Sequence, residues 1–315
     1  MSAIQQLMLA SRSSISFVFS ANTPDATLNI ASLTGYVAGN TDITITVNAG
    51  VWLYATSNAN AGLTLTGGTT NDSIKLINNG FIAGQGGDGE GSNAGNADVP
   101  ATNGGPALSL GFNTIIDNTN ASAYIGGGGG GGASIFASTG NPNGNSGGGG
   151  AGGGRGGPRV GVYVAGGTVG NTGSTGGALT DGGGGGGRIF SGVGGAAITK
   201  LPSAVSSSPG NGGGAGGGGS ATNGVFKAGV GTASGGGGGW GAAGGLAVLT
   251  NVGANNISVT SGAGGSANNV GGNASSNTVH ATAGTVGLGG KAVQLNGKTV
   301  TWVASDTTRV YGAVA

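Results

Sequence analysis

The chain contains no cysteine, so neither a disulfide framework nor a thiolate metal site is available to it. Charge is almost as scarce: Asp, Glu, Lys and Arg make up 6% of the 315 residues, with a net charge of +1. An average globular chain carries roughly 25%. A nucleic-acid binder needs a dense Lys/Arg surface with interleaved aromatics, and none is present, so no nucleic-acid partner is expected. Proline is rare (7 residues) and no Gly-X-Y period is sustained, which excludes a collagen helix. No run of about 18 apolar residues occurs, so no transmembrane helix is expected. The first 14 residues carry no basic residue ahead of their short apolar stretch and are not read as a signal peptide. A chain short of both crosslinks and surface charge suits assembly into a larger particle, held together by its own backbone network.

Glycine is what the chain has in abundance: 81 residues, concentrated in tracts at 126–132, 147–157, 182–187, 212–219, 235–245 and, more loosely, 262–290. Glycine has no side chain to bury; it offers unrestricted φ and close approach of backbones. A Gly/Ser spacer would be a flexible coil of uniform low complexity. Here the tracts alternate with segments containing real hydrophobes, such as ASIFAST (133–139), PRVGVYVAG (158–166) and NGVFKAGVG (223–231). The alternation favours a bundle of polyglycine II helices. Such a helix has three residues per turn and no internal hydrogen bonds, so every N–H and C=O must be satisfied by a neighbour. Ordering backbone costs about 1–2 kcal/mol per residue and a hydrogen bond returns about 0.5–1.5 kcal/mol net. A lone tract stays coil, whereas several packed together break even. Gly126, Gly129, Gly132, Gly152, Gly184, Gly217 and Gly237 are the expected structural positions, with Trp240 capping a bundle face or filling an edge.

Outside the tracts the sequence reads as β-structure. Residues 12–20 alternate (SISFVFS), as do 42–47 (DITITV), 51–55 (VWLYA), 63–66 (LTLT) and 73–77 (SIKLI), separated by Asn/Gly turn signals. This suits short stacked strands of a solenoid or a jelly-roll-like sandwich. The fold class expected is all-β and irregular. An N-terminal attachment segment (1–23), with Ile4, Leu7 and Met8 at helical spacing, leads into a β platform (24–125). A polyglycine II bundle with protruding loops (126–290) follows, and strands at 291–315 return to the platform. An internal echo supports the return: GGPALSL (104–110) and GGKAVQL (289–295) share one pattern and bracket the glycine region.

Chemistry is thin. The single histidine, His280, lies in a polar stretch and is read as a loop residue. Asp88 and Glu90, beside glycine turns, invite a calcium reading, but a solvated turn is the default. AVQLNGKT (292–299) lacks the first glycine of a phosphate-binding loop and is read as an Asn-Gly hairpin turn. GxGxxG matches carry no information in so glycine-rich a chain. Asp72, Asp88, Asp98 and Asp117 are the carboxylates that would have to converge for glycoside hydrolysis. No catalytic residue, metal or cofactor is expected.

YIGGGGGGGAS (124–134), GGGGAGGGRGG (147–157), DGGGGGGR (181–188), GGGGGWGAAGG (235–245) and GGKAVQLNGKTVTWV (289–303) resemble the glycine-rich receptor-binding adhesins of tailed bacteriophages. From residue 45 onward the chain is similar to the C-terminal tips of siphophage host-specificity proteins and to the polyglycine II adhesins that cap T-even-like long tail fibres. The resemblance implies a non-enzymatic tail-fibre tip protein, extracellular and part of the virion. It would bind a host outer-membrane protein or surface glycan through the loops between tracts. It would join other tail or fibre proteins through its N-terminal segment, as a homotrimer or as a monomeric cap on a trimeric fibre. Aromatic and Arg side chains dominate interface energetics; Phe136, Arg159, Tyr163, Phe190, Lys200, Phe226 and Lys227 are the candidate receptor contacts. The alternatives are a purely structural glycine-rich protein and a tailspike-like glycan depolymerase.

Overall fold

The computed structural model describes residues 12–92, 98–137, 149–159, 162–164, 224–227, 231–234, 237–244, 247–253, 256–261, 286–305 and 307–315. Three strands recur in each turn of the chain. The first coil is β1 (Ser13–Phe19), β2 (Thr23–Pro24) and β3 (Ala26–Asn29). The second is β4 (Thr41–Val47), β5 (Trp52–Tyr54) and β6 (Leu63–Thr66). The third begins with β7 (Ser73–Asn78) and β8 (Phe81–Ala83), then makes an excursion containing β9 (Gly91–Ser92) and β10 (Asp98–Val99), and returns as β11 (Leu108–Leu110).

The fourth coil, β12 (Thr114–Asp117) and β13 (Tyr124–Gly126), makes a much longer excursion. That excursion holds β14 (Ser134–Ala137), β15 (Gly156–Arg159), β16 (Val162–Val164), β17 (Gly224–Lys227), β18 (Gly231–Ser234), β19 (Ala247–Gly253) and β20 (Asn256–Ser261). It returns as β21 (Val293–Gln294). The last coil is β22 (Val300–Trp302) and β23 (Val310–Tyr311), closed by a bridge from Val314 to Val293.

Like strands stack on like. Sheet one runs β1-β4-β7-β12-β22, sheet two β2-β5-β8-β13-β23 and sheet three β3-β6-β11-β21, and every pairing in them is parallel. The platform is therefore a three-sided parallel solenoid; the jelly-roll alternative requires antiparallel neighbours and does not hold. Among the described residues there is no α-helix, only two 3-10 turns (Ile30–Ser32 and Val303–Ser305).

Period-2 alternation sends one side chain of each pair inward, and stacking puts equivalent residues in rows. Ile45 lies beside Leu76, and Leu76 beside Ile116, on sheet one. Leu53, Ile82 and Ile125 form the row on sheet two, and Leu63, Leu108 and Val293 on sheet three. These rows meet in one core, and most of their members are fully buried. Each buried Leu or Ile contributes about 1.5–3 kcal/mol relative to exposure. At the corner between sheets one and two, Asn78 donates from Nδ2 to Asn118 Oδ1 at 2.8 Å and to the Tyr124 carbonyl at 3.2 Å, while its Oδ1 accepts from the Gly80 amide.

Two expectations are corrected. β1 lies within the stretch set aside for attachment, yet it pairs along its whole length with β4 and is the first strand of the solenoid. The Asn296-Gly297 turn has φ of +51° and +76°, as its residue types suit, but it joins β21 in sheet three to β22 in sheet one. It turns a solenoid corner and makes no hairpin. The Asn296 side chain holds that corner by donating to the Leu110 carbonyl and Ser109 Oγ, each at 3.0 Å.

Candidate functional site

Both long excursions leave from the end of sheet two and return at the start of sheet three. Between those points the described segments form a bundle of extended strands around residues 126–132. The amides of this central strand donate outward in rotation: Gly127 to the Tyr311 carbonyl, Gly128 to Gly105, Gly129 to Ala151, Gly130 to Ala242 and Gly131 to Thr102, all at 2.8–3.1 Å. Its carbonyls accept with the same rotation. Gly126, Gly129 and Gly132 receive Gly84, Gly87 and Glu90; Gly127 and Gly130 receive Gly241 and Gly238; Gly128 and Gly131 receive Gly290 and Gly287. The same neighbour returns every third residue, so the direction of bonding turns by a third of a revolution per residue.

Glycine is required here by contact with backbone on every side. A Cβ on Gly128 would overlap the Gln85 carbonyl oxygen, on Gly129 that of Gly238, on Gly130 that of Gly287 and on Gly131 that of Asp88. Strands 84–90 and 126–132 run the same way, outward from the solenoid. Residues 102–105 and 286–290 run back toward it, as the falling numbers of their partners show. Residues 149–150 come inward, turn at 151–153 where Gly152 and Gly153 have φ of +97° and +84°, and leave again; 237–244 do the same around Trp240 and Gly241.

These inner turns seat on the solenoid. Trp52, Phe81 and Tyr124 occupy successive outward positions on sheet two, Trp52 stacking on Phe81 with centroids 4.0 Å apart. Trp240 packs against Tyr124 and is fully buried with Ala151, Ala83 and Trp52. It closes the seam between sheet and bundle, and a Cβ on Gly126 would meet its ring at 3.3 Å. Gly152 faces the Gly84 carbonyl, and Gly237 is buried. Gly184 and Gly217 lie outside the described residues.

The opposite end of the bundle carries the remaining strands. β14 pairs with β18, β17 with β20, β20 with β19, and β15 with β16, all antiparallel. β18 packs on β19 and β20, β14 on β19, and β15 on β9. Phe136 falls in β14, Arg159 in β15, Tyr163 in β16, and Phe226 and Lys227 in β17. The strands bearing Phe136, Phe226 and Lys227 thus meet in one group. Phe190, Lys200 and His280 lie outside the described residues.

Asp72, Asp88 and Asp117 are each tied to a separate set of partners. Asp88 bonds Arg155, accepting its amide at 2.8 Å and its Nε at 3.0 Å, and so ties strand 84–90 to strand 154–155. Asp72 accepts the Tyr36 hydroxyl at 2.7 Å, the Thr69 amide at 2.8 Å and the Gly39 amide at 2.9 Å. Burial pushes its pKa up, but these hydrogen bonds outweigh burial and hold it below the ordinary value. Asp117 is held low by the Thr119 hydroxyl, with Lys75 at 3.0 Å adding to the effect. A general acid needs the opposite shift. Among the described residues no group of three or more His, Asp or Glu side chains is placed to hold a metal ion.

The phage tail fibre adhesin Gp38 family model matches residues 14–210. The chain belongs to this family. It is a receptor-binding adhesin of a phage tail fibre, and its place is the virion tail, outside the cell. The family name describes binding and suggests a role without catalysis. Among solved structures, the crystal structure of the gp37–gp38 adhesin tip complex of the bacteriophage S16 long tail fibre is similar at 18% identity, with a TM-score of 0.39 over 96% of this chain and 82% of that one. No curated protein matches.

Proposed function

We propose that the adhesin recognises its host through the strands and loops at the far end of the glycine bundle. Phe136, Arg159, Tyr163, Phe190, Lys200, Phe226 and Lys227 would supply the contacts to a host outer-membrane protein or surface glycan. The observation that carries this reading is the lateral bonding of strand 126–132, in which the amides of Gly127 to Gly131 and the carbonyls of Gly126 to Gly132 all have partners on neighbouring strands. It makes the bundle a stiff support with one end seated on the solenoid at Trp240 and the other end free to face a receptor. A presenting surface fixed in advance loses little entropy on docking.

The adhesin acts by binding alone, without catalysis. It joins another tail-fibre protein through the 1–23 segment, within which β1 is an edge strand of the solenoid, as a trimer or as a single cap on a trimeric fibre. Exchanging residues 133–146, 158–181, 188–211 and 220–234 between related adhesins tests the reading. Host range should follow the exchanged segments; host range that follows the solenoid strands instead contradicts it. Release of reducing ends from host polysaccharide by the purified protein would favour a depolymerase.

A further inference from the structure

We propose that Asn296 is a site of spontaneous covalent modification, at which the Gly297 amide nitrogen attacks the Asn296 side chain and converts it to aspartate or isoaspartate, loosening the last solenoid coil. Three Asn-Gly pairs fall among the described residues: 79–80, 103–104 and 296–297. Glycine has no Cβ to shield its own nitrogen, so attack depends on whether that nitrogen and the preceding side chain are able to meet. Gly80 is buried, and its amide donates to Asn78 Oδ1 at 3.2 Å. The Gly104 amide donates to the Leu288 carbonyl at 2.8 Å, while Asn103 Oδ1 accepts the Leu288 amide. Both of those pairs are locked into solenoid or bundle. Asn296 and Gly297, in contrast, are exposed. The Gly297 amide donates to no described residue, and a Cβ built there meets nothing within 4 Å. Both residues have positive φ, a conformation glycine holds freely and other residues rarely adopt. The two bonds from Asn296 Nδ2, to the Leu110 carbonyl and Ser109 Oγ, are what must break before the side chain can swing onto the nitrogen.

Hydroxide takes the proton of the Gly297 amide, and the nitrogen forms a bond to Asn296 Cγ. The Cγ–Nδ2 bond breaks, Nδ2 takes a proton from water and leaves as ammonia, and a cyclic imide remains. A water molecule then opens the imide. Opening at Cγ gives aspartate; opening at the main-chain carbonyl gives isoaspartate, whose main chain is longer by a methylene. The net change is hydrolysis of an amide, with no electron transferred. Either product loses both donated bonds at the corner, because a carboxylate only accepts, and aspartate sets its charge against the Leu110 carbonyl oxygen. The corner opens the coil on which the bundle rests. In that coil the Arg309 and Tyr311 carbonyls accept the Ile125 and Gly127 amides at 3.0 and 2.9 Å, and the Arg309 side chain donates to the Ala123 and Asn118 carbonyls at 3.1 and 2.8 Å. Conversion of Asn296 thus acts as a clock on how long the adhesin keeps its bundle seated.

The test incubates the full-length adhesin at mildly alkaline and mildly acid pH and follows each Asn-Gly peptide over time by digestion and mass spectrometry. The expected result is conversion of Asn296 at least tenfold faster than of Asn79 or Asn103, and faster at the alkaline pH. Conversion at Asn79 or Asn103 that keeps pace with Asn296, or none at Asn296, overturns the assignment of the site. Asn296→Asp tests the consequence. Its melting temperature should lie below the parent's, and amide exchange at Ile125 and Gly127 should quicken at least tenfold. Melting and exchange like the parent's overturn the claim that the modification loosens the coil. Should Asn296→Asp not fold, the converted fraction of the aged parent gives the same two measurements.

Discussion

The Trp240 ring lies 5.8 Å from that of Tyr124, tilted by 49°, and makes the aromatic joint between an inner turn of the glycine bundle and the outward face of the second sheet. Tyr124 belongs to a solenoid strand and Trp240 to a turn flanked by glycine, so the contact couples two kinds of structure within one buried cluster that also holds Trp52, Ala83 and Ala151.

Trp240→Ala should therefore destabilise the protein by about 3–5 kcal/mol, the range for a large aromatic removed from a close-packed site. The loss should appear as a lowered melting temperature. Trp240→Phe, which retains an aromatic ring, should recover part of it.

Alanine at Gly130 should cost more than alanine at Gly35. At Gly130 the methyl would overlap the Gly287 carbonyl, with backbone that cannot move aside; at Gly35 nothing lies within 4 Å and the penalty is only the positive φ of +84°. Overpacking costs about 1–3 kcal/mol or more, and a left-handed residue other than glycine costs roughly 1–2 kcal/mol. Paired melting curves for the two variants check the ranking.

Stability should decline in acid. The folded-state pKa values of Asp72 and Asp117 lie below the ordinary carboxylate value of 3.8. A depressed carboxylate pKa stabilises the folded state above the unfolded pKa and loses that contribution as pH falls through the folded one. Asp72→Asn should lower the melting temperature at neutral pH, and its difference from the parent should shrink well below pH 3.8. A difference constant with pH would show that the hydrogen bonds to Asp72 do not depend on its charge.

Adsorption should change little with salt. With a net charge of +1 there is no strong field to screen, so raising ionic strength from about 0.05 to 0.3 M should leave adsorption rates within a few-fold of each other. A loss of orders of magnitude would reveal a concentrated charge at the receptor surface.

Much of the solenoid is legible in the sequence, because alternation identifies any strand long enough to show it. β1, β4, β6 and β7 coincide with the alternating runs SISFVF, TDITITV, LTLT and SIKLIN. The echo GGPALSL and GGKAVQL places Leu108 beside Val293, and the Ala107 amide donates to the Lys291 carbonyl across the long excursion. Sheet two is hard to read, since strands as short as Thr23–Pro24 and Phe81–Ala83 carry too few residues for a period. Parallel stacking is equally hidden: it depends on partners a full coil away, whereas an Asn-Gly pair signals a reversal and leaves open whether strands pair across it.

The most instructive difference concerns residues 84–90. GQGGDGE contains charged and amide side chains and reads as a polar turn. Yet the structure needs glycine only where backbone crowds in: at 84, 86 and 87 a Cβ would overlap a neighbouring backbone. Gln85 and Asp88 instead point to partners, Gln85 to the Gly153 carbonyl at 3.0 Å and Asp88 to Arg155. Glycine spacing within such a segment, and not its density, is the signal of a bundle strand.

Amide hydrogen exchange at Gly127, Gly128, Gly129, Gly130 and Gly131 addresses the central claim most directly, since each amide has its own carbonyl partner on a neighbouring strand. The account predicts protection comparable to that of the solenoid amides in β4 and β7. Exchange of these five glycines at the rate of an unstructured chain would contradict it.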